Sequence, residues 1–178
     1  AAAGGVGQIF CQWAKSLGCK VIGTVGSDEK INIAKKNGCD FVINYSTENF
    51  AKKVLELTKG KGVSVVYDGV GKITFEGSIE CLKMRGMLVS FGNSSGLVEN
   101  IDVKKMIQPK SLYFTRPTMF HYLATKDELQ EGADKLFEKI SLGKIKIKIF
   151  KEYQLEDVVQ AHKDLEARKI IGSAVIIP

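Results

Sequence analysis

The chain has 178 residues, 44% of them hydrophobic and 26% charged, and this composition excludes an intrinsically disordered chain. It shows no run of about 20 apolar residues and no signal peptide, so we expect a cytoplasmic protein without a membrane partner. The net charge of +6 comes from 26 basic and 20 acidic residues. The lysines are scattered, which is typical of a solvated surface that attracts anionic cofactors and argues against a nucleic-acid partner.

The cysteines and histidines show no metal-ligand spacing. His121 and His162 have no neighbouring Cys or His, so no zinc site is expected within these residues. The cysteines lack Cys-x-x-Cys spacing, and we interpret them as small buried hydrophobic residues in a reducing compartment. They are Cys11, Cys19, Cys39 and Cys81.

A glycine-rich turn leads into residues 8–17, whose apolar periodicity predicts a helix. Ala2, Gly4 and Gly7 have the spacing of the dinucleotide-binding fingerprint, with alanine at its first position. Small residues there permit a tight turn, a close approach of the backbone to a pyrophosphate, and close packing of the helix on a strand. The helix N-terminus then faces the anion, although an ordinary loop is the alternative. The predicted cradle is Gly4, Gly5, Val6 and Gly7.

Residues 20–25 predict a buried strand, which follows a helix ending at Leu17-Gly18. In NAD-specific folds an acidic residue at the tip of this second strand binds the ribose 2′-hydroxyl. Here the tip carries Gly26 and Ser27, with Lys30 one turn later, and a hydroxyl and an ammonium group attract a 2′-phosphate. The pattern therefore favours NADP(H) over NAD(H).

Two acidic residues, Asp28 and Glu29, oppose this interpretation. We expect them in the first turn of the next helix, pointing to water, with Ser27 as the N-cap. That helix is predicted to stop at Asn37-Gly38 and to be followed by a strand over 40–44. Tyr45 at the strand tip falls near Lys30, because the carboxyl ends of neighbouring strands share one crevice. A structural role for Tyr45, with its hydroxyl in water, is the alternative.

The middle of the chain continues the alternation of helices and strands. Helices are predicted over 48–58 and 74–84, and strands over 63–68, 87–91 and 111–115. The β-branched run 63–68 predicts a strand buried on both faces. Two glycine-containing turns follow strands, at 69–71 and at 92–96. We predict that Val70 contacts a nicotinamide and that the second turn lines the cofactor, with plain turn chemistry as the alternative.

After residue 117 the pattern changes. Residues 126–142 predict an amphipathic helix, with Leu129, Ala133, Leu136, Phe137 and Ile140 on its apolar face. Residues 144–149 alternate lysine and isoleucine and predict a strand with one wet face. A helix over 155–168 and a strand over 172–178 complete the chain.

In their order and spacing these motifs resemble the C-terminal half of an NADPH:quinone oxidoreductase of the zeta-crystallin type, in the zinc-independent branch of the medium-chain dehydrogenase/reductase superfamily. The resemblance covers essentially the whole chain. It rests on the segments 1–7, 23–27 with Lys30, 42–45, 66–71, 90–96 and 115–117.

The resemblance implies an α/β fold, a Rossmann-type doubly wound parallel sheet that here lacks its first strand, plus a C-terminal α+β segment. It implies an NADP-binding domain over 1–117 and a segment, 118–178, that packs with a missing N-terminal GroES-like catalytic domain. We therefore expect a piece of a longer protein, without a catalytic residue, that forms a homodimer through the edge strand 111–116. The residues expected to bind the cofactor are Gly4, Gly5, Val6, Gly7, Ser27, Lys30, Tyr45, Val70, Phe91, Gly92, Ser94 and Arg116.

The function implied is hydride transfer from NADPH to a small-molecule quinone, with this segment as the cofactor-binding platform. An NADPH-dependent enoyl or alkenal reductase of the same superfamily is one alternative. A non-catalytic nucleotide-sensing or RNA-binding module is another.

Overall fold

The computed structural model describes residues 1–167 and 169–178. Within these residues, seven α-helices and seven strands alternate along most of the sequence. The helices are α1 (Gly5–Ser16), α2 (Ile31–Lys36), α3 (Phe50–Leu57), α4 (Phe75–Glu80), α5 (Met119–Tyr122), α6 (Lys126–Ser141) and α7 (Val158–Glu166). The strands are β1 (Ile22–Val25), β2 (Phe41–Asn44), β3 (Val63–Asp68), β4 (Leu82–Ser90), β5 (Tyr113–Thr115), β6 (Ile149–Gln154) and β7 (Ser173–Ile177). No helix in the described part of the chain is long and apolar enough to cross a membrane.

The chain divides into two compact units. The first unit contains Ala1–Ser46 and Asp134–Pro178, and the second contains Thr47–Ala133. All pairings in the three sheets are parallel, in the orders β1-β2, β3-β4-β5 and β6-β7. The predicted α/β fold with parallel strands is therefore confirmed. The domain boundary predicted at residue 117 stays a prediction.

In the first unit, β1 pairs with β2, and the segment before α1 lies alongside β1, where the Ala2 N–H donates to the Thr24 carbonyl at 2.8 Å. Small side chains let α1 and α2 approach this sheet closely. Their core contains Val25 and Ala34, which are 1% and 0% exposed. Gly38, with a φ of 98°, turns the chain out of α2 into β2, as the sequence predicts.

The C-terminal part of the first unit forms a second parallel pair, β6-β7, connected through α7. The helix predicted over 155–168 begins as a 3₁₀ turn, Leu155–Asp157, and continues as α7; Arg168 lies outside the described residues. The strand predicted over 144–149 is wrong, since β6 begins only at Ile149. Of the predicted apolar face, Ile145 is buried, whereas Ile147 and Ile149 are exposed.

The extended segment before β6 takes its hydrogen bonds from a side chain. The amide of Gln12 on α1 accepts from the Lys146 N–H at 2.8 Å and donates to the Lys146 carbonyl at 3.1 Å. A glutamine amide thus supplies the two contacts that a neighbouring strand supplies in a sheet. This pairing explains why the alternating lysines and isoleucines form no strand there.

A buried carboxylate ties β6 to α7. Asp164, 8% exposed, accepts from the Tyr153 hydroxyl at 2.9 Å and from Gln160 Nε2 at 2.9 Å. Lys151 Nζ and Lys169 Nζ approach the same carboxylate at 3.4 and 3.5 Å. The hydrogen bonds from Tyr153 and Gln160 lower the pKa of Asp164 to about 2.

The second unit is built on β3-β4-β5, with a core that includes Phe75, Leu82 and Leu88. The helix predicted over 74–84 is wrong at its end, because α4 stops at Glu80 and β4 starts at Leu82. The register of β4 against β3 is irregular before Val65, and Arg85 has a φ of 57°. Residues 82–84, which were predicted as the last helical turn, therefore form the irregular start of β4.

β3 is an edge strand of this sheet, hydrogen-bonded only to β4 among the described strands. The prediction that it is buried on both faces is wrong: Val65 is 41% and Tyr67 51% exposed. β5 is the opposite edge, as predicted. The structure describes every residue of α6, and none of them is buried. On the predicted apolar face of this helix, Leu129 and Phe137 are exposed.

Candidate functional site

The N-terminus of α1 has the features expected of an anion cradle. Gly4 occupies the N-cap with extended backbone and makes no side-chain cap hydrogen bond, so no side chain of this residue covers the first turn. Gly7 lies directly against the preceding backbone: a Cβ there would lie 2.2 Å from the Ala1 carbonyl oxygen and 3.0 Å from Ala2. Gly7 is therefore packed closely against the Ala1–Ala2 turn, and the predicted packing of the helix on a strand stays a prediction. Gly5 faces the Ser173 hydroxyl, and Val6 is exposed.

The tips of β1 and β2 bring Ser27, Lys30 and Tyr45 to the same edge of the first sheet. The Tyr45 N–H donates to the Val25 carbonyl at 3.0 Å, which continues the strand pairing by one residue. The Tyr45 ring lies over Gly26, where a Cβ would be 2.9 Å from its hydroxyl oxygen. The glycine at the strand tip therefore makes room for this tyrosine. All three side chains are half-buried.

Ser27 holds the N-cap position of the 3₁₀ turn Asp28–Lys30, but its side chain makes no cap hydrogen bond. The predicted N-cap position of Ser27 is therefore confirmed, although the turn does not use its hydroxyl. Asp28 is exposed, as predicted, and its Oδ1 also accepts a hydrogen bond from Asn44 Nδ2 at 2.8 Å. Glu29 is exposed, as predicted. The Asn44 contact had no signal in the sequence, since it joins residues of two strand ends.

In the second unit, a buried carboxylate that the sequence reading did not single out shapes the turn after β3. Asp68 is 4% exposed and accepts from the backbone N–H groups of Val70 at 2.8 Å and Gly71 at 3.0 Å. It also accepts from the hydroxyls of Thr74 at 2.9 Å and Ser78 at 2.8 Å. The short spacing from Asp68 to Gly71 and Thr74 was the available signal for this turn.

The turns after β3 and β4 pack backbone to backbone through their glycines. A Cβ on Gly92 would be 2.4 Å from the Gly69 carbonyl oxygen, and one on Gly71 would be 2.7 Å from the Gly96 carbonyl oxygen. The Phe91 ring lies over Gly69, 2.8 Å from the position of its absent Cβ. These glycines are required by close approach rather than by turn chemistry alone.

The predicted cofactor-binding residues of this second group differ in accessibility. Phe91 and Ser94 are exposed, whereas Val70 is only 5% exposed. Arg116 is tied to the protein: its Nη1 donates to the Ser90 carbonyl at 2.7 Å, and its Nη2 donates to the Asn93 amide oxygen at 3.0 Å. Arg116 therefore braces the end of β4 and the turn that follows it.

The thiols form no metal site. In the described part of the chain no group of three or more His, Cys, Asp or Glu side chains is arranged to hold a metal ion. Cys39 Sγ donates to Cys11 Sγ at 3.5 Å. This hydrogen bond is the largest cause that raises the pKa of Cys39, and burial is the second; the same bond lowers the pKa of Cys11. Burial was predicted for all four thiols and is wrong for Cys19, which is exposed.

Comparisons with known proteins agree with this architecture. Residues 5–139 match the family described as zinc-binding dehydrogenase. A quinone oxidoreductase of Pseudomonas aeruginosa is 50% identical over 178 residues, which cover 100% of this chain and 55% of that protein. A 2-haloacrylate reductase of a Burkholderia species is 44% identical over 179 residues, covering 100% of this chain and 54% of that protein.

Solved structures extend the similarity to three dimensions. The crystal structure of Escherichia coli quinone oxidoreductase complexed with NADPH superposes with a TM-score of 0.96 at 48% identity, covering 100% of this chain and 55% of that one. The chain thus spans 55% of the length of these quinone oxidoreductases. The resemblance predicted from the sequence motifs is confirmed, and the chain belongs to the zinc-binding dehydrogenase family.

Proposed function

We propose that the protein reduces quinones with NADPH and that this chain supplies its cofactor-binding platform. The observation that carries the proposal is the group Ser27, Lys30 and Tyr45 at the tips of β1 and β2. The segment before the glycine turn of α1 is hydrogen-bonded to the same strand, β1, through the Ala2 N–H and the Thr24 carbonyl. The similarity to a quinone oxidoreductase complexed with NADPH, at 48% identity over the whole chain, supports it independently.

The residues present fit a dinucleotide. Gly7 leaves no space for a Cβ, which keeps the α1 N-terminus close to the Ala1–Ala2 turn, and Gly4 leaves the first turn without a side-chain cap. We propose that the N–H groups of Gly4, Gly5, Val6 and Gly7 bind the pyrophosphate. Lys30 binds the 2′-phosphate by charge, and Ser27 and Tyr45 donate hydroxyl hydrogen bonds to it.

The second group is proposed to serve the nicotinamide half, as the sequence predicts. Val70, Phe91, Gly92 and Ser94 lie in or beside the two packed turns, and their backbones are held by Asp68 and by Arg116. NADPH supplies a hydride when bound, and the task of these turns is to orient the ring and exclude water. Arg116 is proposed to act on the cofactor only through the turn that it braces.

The family name implies zinc, but the described residues of this chain offer no set of three ligands for it. The residues thus do not fit a zinc ion, and the proposal derives no step through one. We propose the zinc-independent branch of the superfamily, in agreement with the sequence resemblance.

Reduction of an activated alkene is the second candidate function. It is favoured by the 44% identity to a 2-haloacrylate reductase across the whole chain. Quinones and activated alkenes both accept a hydride at an electron-poor carbon, so one cofactor platform serves both. Turnover of NADPH by the intact protein with matched series of quinones and of enones or haloacrylates separates the two, because the preferred class gives the higher kcat/KM.

The cofactor proposal is tested by reversing one charge. Lys30→Glu replaces attraction for the 2′-phosphate by repulsion, and we expect NADPH affinity to fall by about 10- to 100-fold while NADH affinity changes little. Lys36→Glu, at an exposed position of α2, makes the same charge change as a control. Tyr45→Phe removes only a hydroxyl and is expected to have a smaller effect. Equal losses for both cofactors in Lys30→Glu would contradict the assignment.

We also propose a cytoplasmic homodimer that pairs through the edge strand 111–116. β5 has one strand neighbour, and Tyr113 is 60% exposed on it, which suits strand-to-strand pairing. The cysteines lack Cys-x-x-Cys spacing, which suits a reducing compartment. Sedimentation equilibrium should give twice the chain mass, and Tyr113→Lys should halve it, whereas Tyr122→Lys, equally exposed on α5, should not. A monomeric wild-type protein rejects the dimer.

A further inference from the structure

The acid at the tip of β1 is the residue that could reverse the cofactor preference. Asp28 directly follows Ser27, at the strand end where NAD-specific folds place the carboxylate that binds the ribose 2′-hydroxyl. A carboxylate facing that side would repel a 2′-phosphate and offset the charge of Lys30. What the Asp28 side chain contacts therefore bears on cofactor choice.

Asn44, the last residue of β2, holds this carboxylate. Asn44 is 3% exposed, and its Nδ2 donates to Asp28 Oδ1 at 2.8 Å. Its Oδ1 accepts from the backbone N–H of Ser46 at 3.0 Å. Because a backbone N–H can only donate, the amide oxygen is fixed toward Ser46, and the NH₂ group is left facing Asp28.

The strand geometry puts this contact on the face opposite Tyr45. Successive side chains of a strand point to opposite faces, and the Tyr45 N–H continues the pairing with β1 by bonding the Val25 carbonyl. The Tyr45 hydroxyl lies against Gly26, whereas the buried Asn44 amide donates to the exposed Asp28 carboxylate on the other face. The Tyr45 hydroxyl and the Asp28 carboxylate therefore lie on opposite faces at the end of β2.

We propose that Asn44 is a positioning residue for cofactor choice, which holds the Asp28 carboxylate away from the 2′-phosphate side and so maintains the preference for NADPH over NADH. This inference rests on the proposed function. Asn44 contacts no cofactor; it acts through Asp28. Without the amide, Asp28 is free to turn toward the ribose, where it repels a 2′-phosphate and accepts a hydrogen bond from a 2′-hydroxyl.

The test is a double-mutant cycle on cofactor affinity in the intact protein, measured by titration with NADPH and with NADH. For Asn44→Ala we expect about a tenfold loss of NADPH affinity and unchanged or tighter NADH binding. Adding Asp28→Asn to Asn44→Ala should restore NADPH affinity, because the released charge is gone. Asp28→Asn alone should leave the NADPH preference intact. Thermal unfolding of each variant establishes that it is folded.

The outcomes separate this inference from the proposed function. A wild-type protein that does not prefer NADPH overturns both. A wild-type preference that Asn44→Ala leaves unchanged, or a loss that Asp28→Asn fails to restore, overturns only the role of Asn44. If Asn44→Ala does not fold, Asn44→Val, which suits a strand better, takes its place. If neither folds, Asp28→Asn decides, and a fivefold or greater fall in its NADPH-to-NADH affinity ratio overturns the proposal.

Discussion

Gly7→Ala tests whether the fit of α1 against the Ala1–Ala2 turn is as tight as the structure shows. The new Cβ would lie 2.2 Å from the Ala1 carbonyl oxygen and 3.0 Å from Ala2, whereas ordinary Cβ contacts lie at 3.4–4 Å. Both neighbours are backbone atoms, so no side-chain rotation relieves the overlap. The helix N-terminus must move away from the Ala1–Ala2 turn, or that turn must move.

The magnitude follows from two opposing effects. Overpacking of this kind costs about 1–3 kcal/mol, whereas alanine is favoured over glycine within a helix by up to about 1 kcal/mol. We expect Gly7→Ala to lower the unfolding free energy by about 1–2 kcal/mol. Gly132→Ala is the matched control: it lies inside α6, and its Cβ would meet only Leu123 Cδ2 at an ordinary 3.5 Å. It should stabilise the protein by about 0.5–1 kcal/mol.

The assay is urea and thermal unfolding of the wild type and the two variants. A difference of about 2 kcal/mol between the variants corresponds to roughly 4–8 °C in Tm for a chain of this size. NADPH affinity should fall in Gly7→Ala only, because the pyrophosphate cradle is displaced with the helix. The reasoning is refuted if Gly7→Ala is as stable as the wild type or moves in the same direction as Gly132→Ala.

Three further predictions follow from the packing and charges. Gly26→Ala should displace the Tyr45 ring, which lies 2.9 Å from the added Cβ, and weaken NADPH binding; in a Tyr45→Ala background the same change should have no further effect. Asp164→Asn should lower stability at neutral pH. Because the folded pKa of Asp164, about 2, lies below its ordinary 3.8, the stabilisation is complete above about pH 4 and lost as the pH falls toward 2. Urea unfolding at several pH values should therefore show the wild type and Asp164→Asn converging in acid; a constant difference contradicts the assignment. A thiol reagent should titrate Cys19 at once in the native protein and the three buried cysteines only after denaturation; a Cys19→Ser protein that still reacts rapidly contradicts the burial of the others.

The parts of the fold that the sequence predicts well are those coded by nearby residues. The α1 turn, the stop of α2 at Gly38 and the β1 and β2 tips all depend on spacings within a few residues, and each lies where the pattern puts it. Close packing could be predicted at Gly7 because the last small residue of the fingerprint is the one that lets the helix pack closely.

The errors arise where a distant partner decides the outcome. The alternation at 144–149 has a strand period, but the Gln12 amide, far away in sequence, takes the hydrogen bonds of Lys146. Asp28 is exposed, as its place at a helix start predicts, but its hydrogen bond from Asn44 depends on the end of β2 and could not be predicted. The predicted burial of β3 was wrong because what packs on the two faces of a strand cannot be read from its own residues.

The contact between Gln12 and Lys146 has a consequence for synthesis on the ribosome. It joins residues of the first unit that are separated by the whole of Thr47–Ala133. At roughly 5–20 residues per second, several seconds pass between the release of β2 and that of the segment that α1 must hold. The second unit is continuous in sequence and can fold in that interval. The Gln12 side chain on α1 has no Lys146 to bind until the later segment has been synthesised. Nascent chains stalled before residue 134 should therefore protect the second unit from proteolysis before the first.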